Sequence, residues 1–146
     1  SDYQVLYITG KSHYEEFRKN TRFGSNIKVL PYLDNLAGLM RNCDLIVTRA
    51  GASTMSEILA LNLPAIFIPS PYVAGNHQYY NALEIVKNNA GLMIEEDKLN
   101  GEVLFNMVTE LLNDKQKYEI MKMNLRNLGK TDSSKIIVDE IKELIK

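Results

Sequence analysis

The residues from Thr48 to Glu57 read Thr-Arg-Ala-Gly-Ala-Ser-Thr-Met-Ser-Glu. Small residues at Ala50, Gly51 and Ala52 run straight into a stretch with helical spacing. A helix that starts in such a turn presents free backbone N–H groups and the positive end of its dipole, which suits a phosphate. Gly51 and Ala52 would let that ligand approach the main chain closely. The competing reading is a tight strand-to-helix turn that binds nothing, and spacing alone leaves both open. The segment fits neither the P-loop nor the dinucleotide glycine pattern. Glu57 follows Thr54 by three positions, the spacing of a capping box, and local geometry favours that role. Its other role is to accept two hydrogen bonds from a vicinal diol such as a ribose.

A second stretch, Pro69 to Ala82, gathers amides, an imidazole and aromatic rings at the start of a predicted helix. Amide side chains both donate and accept, which suits sugar hydroxyls. His77 and Gln78 stand open between sugar contact and surface. Asn76 reads as a helix cap, and Tyr79, Tyr80 and Asn81 read as packing residues. Lys11, after Gly10, reads as a surface lysine rather than a phosphate contact. His13 and His77 have no cysteine or carboxylate at metal-ligand spacing, so no metal site is expected. Cys43 falls at a helix end in apolar company and reads as a core residue, not a nucleophile.

These residues need a scaffold, and the sequence supplies one. Apolar runs at Tyr3–Thr9, Ile27–Leu30, Asp44–Thr48, Ala65–Ile68 and Gly91–Ile94 predict five strands. Between them lie a short polar helix ending by Asn20 and helical spacing over Asn35–Cys43 and Thr54–Leu63. A helix from Asn76 to about Asn89 follows, and the pattern from Gly101 onward is helical, with a break near Gly129. The strands are continuous apolar runs, as in parallel strands buried on both faces. The fold class is therefore α/β, an open doubly wound parallel sheet with a helical C-terminal tail. Ligands of such sheets bind at the carboxyl ends of the strands, which selects the loops after Thr9, Leu30, Thr48 and Ile68.

With 146 residues the chain holds one domain, and 45% hydrophobic content lets it bury a core. Seventeen basic and eighteen acidic residues give a formal charge of −1. There is no bulk positive field for nucleic acid. A single cysteine excludes an internal disulfide. No apolar run is long enough to span a bilayer. The amphipathic stretch Lys135–Lys146, with Ile137, Ile141, Leu144 and Ile145 on one face, is expected to pack on its own domain.

The run from Tyr32 to Ala82 resembles the C-terminal half of the MurG family, bacterial peptidoglycan N-acetylglucosaminyltransferases with a GT-B fold. The resemblance rests on five pieces in order: Tyr32–Leu36, Asp44–Ala52, Ser56–Ile58, Leu63–Pro69 and His77–Ala82. Gly91 and the helical tail fit the same layout. It implies a Rossmann-like donor domain over 1–146 that binds UDP-N-acetylglucosamine. The sugar would pass with inversion to a lipid-linked muramyl-pentapeptide. By position, Leu33 would lie against the uracil, and Gly51, Ala52, Ser53 and Thr54 would border the diphosphate and ribose. Glu57 would hold the ribose hydroxyls, and His77 and Gln78 would contact the sugar. Arg49 would be structural. Some members carry two glutamines where this chain has His77-Gln78, and Ser53 stands where an apolar residue is common.

The same resemblance implies that the chain is a fragment lacking the first strand of the donor domain and an N-terminal acceptor domain. That absent domain would hold the catalytic base, the lipid-linked acceptor and the membrane surface, so no catalytic residue, cofactor or metal is expected here. The fragment is expected to be soluble and inactive by itself. Its parent would be peripheral at the cytoplasmic face of the bacterial inner membrane. The alternative is a stand-alone nucleotide-sugar-binding subunit recruited by a membrane-bound partner.

Overall fold

A computed structural model describes residues 3–9, 11–20, 25–70 and 77–129. They divide into two units, 1–39 and 40–146. In the first, β1 (Val5–Ile8) is followed by α1 (Tyr14–Asn20), β2 (Ile27–Leu30) and the start of α2 (Leu36–Met40). β1 and β2 pair in parallel, with Val5 opposite Ile27 and Ile8 opposite Leu30. The Asn26 side chain donates to the Tyr3 carbonyl at 2.9 Å and fixes the start of that pairing.

The second unit holds β3 (Ile46–Thr48), α3 (Ala52–Leu61), β4 (Ala65–Phe67), α4 (His77–Lys87), β5 (Leu92–Met93) and α5 (Gly101–Asn113). A last described helix, α6, covers 115–129. The strands form a parallel sheet in the order β3-β4-β5. The five predicted strands and their parallel sense are all present. They fall into two sheets, β1-β2 and β3-β4-β5.

β4 shows why its sequence has no polar alternation. All three of its residues are buried. Ala65 and Phe67 join Ile58 of α3, Ala82 and Ile85 of α4, and Leu125 of α6. Ile66 points the other way, into a cluster with Ile68, Ile94 and α5 residues Leu104 and Met107. A strand alternates its side chains between faces, so helices on both faces demand apolar residues at every position.

Two helix boundaries correct the sequence reading. α3 starts at Ala52, two residues before Thr54, with Gly51 as its N-cap in an extended conformation and no side-chain cap. Thr54 is therefore the third helical residue, and the capping box with Glu57 does not form. α3 also stops at Leu61 rather than Leu63. Asn62 turns left-handed (φ 52°), and its N–H bonds the Ile58 carbonyl. Asparagine tolerates that conformation better than other residues bearing a Cβ. The helical region after Gly101 is interrupted at Asp114, whose carboxylate accepts from the Lys117 amide at 3.0 Å. The expected cap at Asn76, the glycine at Gly10 and the stretch Lys135–Lys146 lie outside the described residues.

Candidate functional site

The carboxyl ends of β3, β4 and β5 define the edge where an open parallel sheet takes ligands. The chain leaves β3 through Arg49, Ala50 and Gly51 and enters α3. No side chain caps the first turn, so the amides of Ala52, Ser53 and Thr54 lack intrahelical acceptors. Ala52 and Ser53 are exposed. A Cβ built on Gly51 would meet nothing within 4 Å, so the face of that turn is open. Glu57 lies on α3 one turn beyond Ser53, half-buried. Residues four apart share a helix face. Among the described residues, the Glu57 carboxylate has no hydrogen-bond or ion-pair partner. The Ser56 hydroxyl, in contrast, is occupied by the Ala52 carbonyl at 3.2 Å.

His77 is the first residue of α4 and is exposed. Gln78 turns inward, and its side-chain oxygen accepts from the Ser70 amide at 2.7 Å. That oxygen is committed to the β4–α4 loop, so Gln78 offers a ligand its amide hydrogens as donors. Asn81 sends its side-chain NH2 to the Ala50 carbonyl at 3.2 Å. It joins α4 to the loop that opens α3, a role the packing assignment missed. The signal was in the spacing. Gln78, Asn81, Ala82 and Ile85 share one face of α4, and a polar group on an inward face must find a partner.

Arg49 makes a wider connection. One guanidinium nitrogen donates to the Ile68 carbonyl at 3.2 Å, and another pairs with Glu96 at 3.1 Å. Its structural assignment from sequence agrees with these contacts. Seven of the eight residues singled out for binding lie in the 40–146 unit: Gly51, Ala52, Ser53, Thr54 and Glu57 on the α3 turn, His77 and Gln78 on α4. Leu33 lies in the 1–39 unit, half-buried between β2 and α2.

Cys43 sits at the other end of the second unit, before β3. Burial, then the charge of Asp44, holds its thiol above the ordinary range, which makes it a poor nucleophile. A concavity of about 320 Å³ beside it is lined by Arg41, Leu63, Tyr118 and Lys122. Among the described residues, no group of three metal-ligating side chains is present. None of the helices so described is long and apolar enough to cross a membrane.

The open turn, the unpaired carboxylate and the amide-bearing helix start lie at the carboxyl edge of a parallel sheet. A family model for the glycosyltransferase family 28 C-terminal domain matches residues 1–140. The chain belongs to that family. Curated relatives include the UDP-N-acetylglucosamine--N-acetylmuramyl-(pentapeptide) pyrophosphoryl-undecaprenol N-acetylglucosamine transferase of Listeria monocytogenes. It is 37% identical across 99% of this chain and 41% of its own length. The transferase of the same name from Bacillus licheniformis is 38% identical across 98% of this chain and 40% of its own. The chain thus spans about two fifths of the length of these relatives.

Among solved structures, Acinetobacter baumannii MurG superposes with a TM-score of 0.73 at 27% identity, over 85% of this chain and 36% of MurG. The glycosyltransferase VinC in complex with dTDP superposes at 0.72 with 17% identity, over 96% of this chain and 35% of VinC, a likeness of fold. The family 28 domain therefore has the architecture of the C-terminal half of a GT-B fold, as expected from its sequence. The stand-alone-subunit alternative finds no support in these relatives, which are themselves transferases longer than the chain.

Proposed function

We propose that this family 28 domain binds UDP-N-acetylglucosamine for an inverting transfer of the sugar to a lipid-linked muramyl-pentapeptide. Glu57 holds the ribose hydroxyls, and Gly51, Ala52, Ser53 and Thr54 border the diphosphate. His77 and Gln78 meet the sugar, and Leu33 meets the uracil. The reaction is a single displacement at the anomeric carbon. Negative charge grows on the departing UDP, and the free amides at the start of α3 stabilise it where it develops. The base that takes the acceptor proton belongs to the part of the longer relatives that this chain does not span. A soluble nucleotide-sugar donor and a lipid-linked acceptor place the reaction at the cytoplasmic face of the membrane.

The carrying observation is the first turn of α3, uncapped by any side chain and open at Gly51, with an unpartnered carboxylate one turn on. Calorimetric titration of UDP into the full-length natural protein tests it. Glu57→Ala removes charged hydrogen bonds of about 1.5–3 kcal/mol, so affinity falls roughly 10- to 100-fold. Gly51→Ala fits the fold, because its φ of −71° is ordinary and its Cβ position is empty. It therefore keeps the thermal midpoint while weakening UDP binding. Unchanged affinity in both variants would remove the α3 turn from donor recognition.

A further inference from the structure

We infer that Arg49 is a positioning residue for the donor site, acting as a clamp across the ends of all three strands of the second sheet. The inference rests on the donor-binding reading above. Arg49 leaves the end of β3. It reaches the Ile68 carbonyl just past β4, and it pairs with Glu96 three residues past β5. The partners are 19 and 47 residues away in sequence. A planar, forked guanidinium is pre-organised to serve two acceptors in different directions while staying charged.

The pair is a poor candidate for stabilising the fold. The Arg49 and Glu96 side chains are 49% and 33% exposed, and ion pairs so placed contribute little to stability. What they fix is spacing. Ala50 and Gly51, next to Arg49 in the chain, carry the α3 turn, while Ser70, two residues after Ile68, is held by Gln78. Asn81 makes the second tie, from α4 to the Ala50 carbonyl. With both ties in place, the α3 amides and the start of α4 keep one separation. A small displacement of such groups is costly to a polar ligand.

The test uses the full-length natural protein with Arg49→Met, Glu96→Ala and the double variant. UDP affinity is read by calorimetry, donor KM and kcat by turnover, and the thermal midpoint by melting. Arg49→Met is expected to weaken UDP about tenfold and raise donor KM to match. It should also lower kcat at saturating donor, because the α3 amides it positions stabilise the departing UDP, and it should leave the midpoint nearly unmoved. Arg49→Lys, which reaches only one acceptor, should fall between. The double variant should be no worse than Arg49→Met, since partners in one contact are not additive. Should Arg49→Met fail to fold, Glu96→Ala at its half-exposed site reads the same clamp. A parent protein that binds UDP, with both single variants within twofold of it, would overturn the clamp alone. A lowered midpoint with donor KM unchanged would overturn it too, by making Arg49 merely structural. A parent that binds no UDP would bring down the donor-binding reading and the clamp together.

Discussion

Gly91 leaves no room for a methyl group. A Cβ there would sit 2.9 Å from Ile85 Cγ2 and 3.0 Å from Phe67 Cε2. Both neighbours are fully buried, in the packed cluster under β4. Gly91→Ala is thus an overpacking change, expected to cost about 1–3 kcal/mol. Urea unfolding of the variant measures it, and a midpoint equal to the parent's would show that this core yields. At this scale the sequence speaks unevenly. By residue type the small turn Ala50–Gly51–Ala52 is open to an anion or to nothing but a tight turn, and the acid at Glu57 to a diol or to a helix cap. The partners of Gln78, Asn81 and Arg49 are not legible there, because each lies on another element and only packing brings it within reach. Glu57 shows the reverse hazard. Its spacing from Thr54 suits a capping box, but the helix begins at Ala52 and the local motif never closes.

Helix ends are where element and sequence part company. The strands stand out because each is a mostly apolar run, and prolines at Pro31, Pro64 and Pro69 punctuate them. Starts and stops depend on single side chains. Asn100 caps α5 by accepting from the Val103 amide at 2.8 Å. Asp114 ends that helix and opens the next by accepting from the Lys117 amide. Helical periodicity runs through Asp114 unbroken, so apolar spacing hides the junction, which only the capping geometry reveals. The α6 helix carries Met121 and Leu125 into the interior, and Tyr118 in its first turn donates to the Asp44 carbonyl at 2.5 Å. Asp114→Ala removes the cap from a helix whose position is otherwise set by those contacts. The expected loss is about 1 kcal/mol. Asp114→Asn, which can still accept, should recover most of it. Equal losses in the two variants, by chemical denaturation, would deny Asp114 the capping role.

At the scale of the whole molecule, burial is distributed unequally between the two units. The fully buried apolar residues run from Met40 to Leu125, and among the described residues of 1–39 none is fully buried. β1 alternates exposed and half-buried positions, with Val5 44% and Tyr7 45% exposed. Continuous apolar runs at β1 and β4 look alike in sequence, yet β4 lies between two helical layers and β1 has one partner strand. Composition counts apolar residues without showing which of them are covered, so this asymmetry was not legible. It has a measurable consequence. Two paired strands without a deep core are marginal on their own, whereas a sheet covered on both faces opens only with much of the domain. In native-state hydrogen exchange of the 146-residue chain, amides of β1 and β2 should exchange at least about 100-fold faster than those of β4. Adding urea should leave the β1 and β2 rates nearly flat while the β4 rates climb, because local opening exposes little surface and global opening exposes much. Equal protection and equal urea dependence in the two sheets would mean that they unfold as one unit, and that exposure along β1 does not govern its stability.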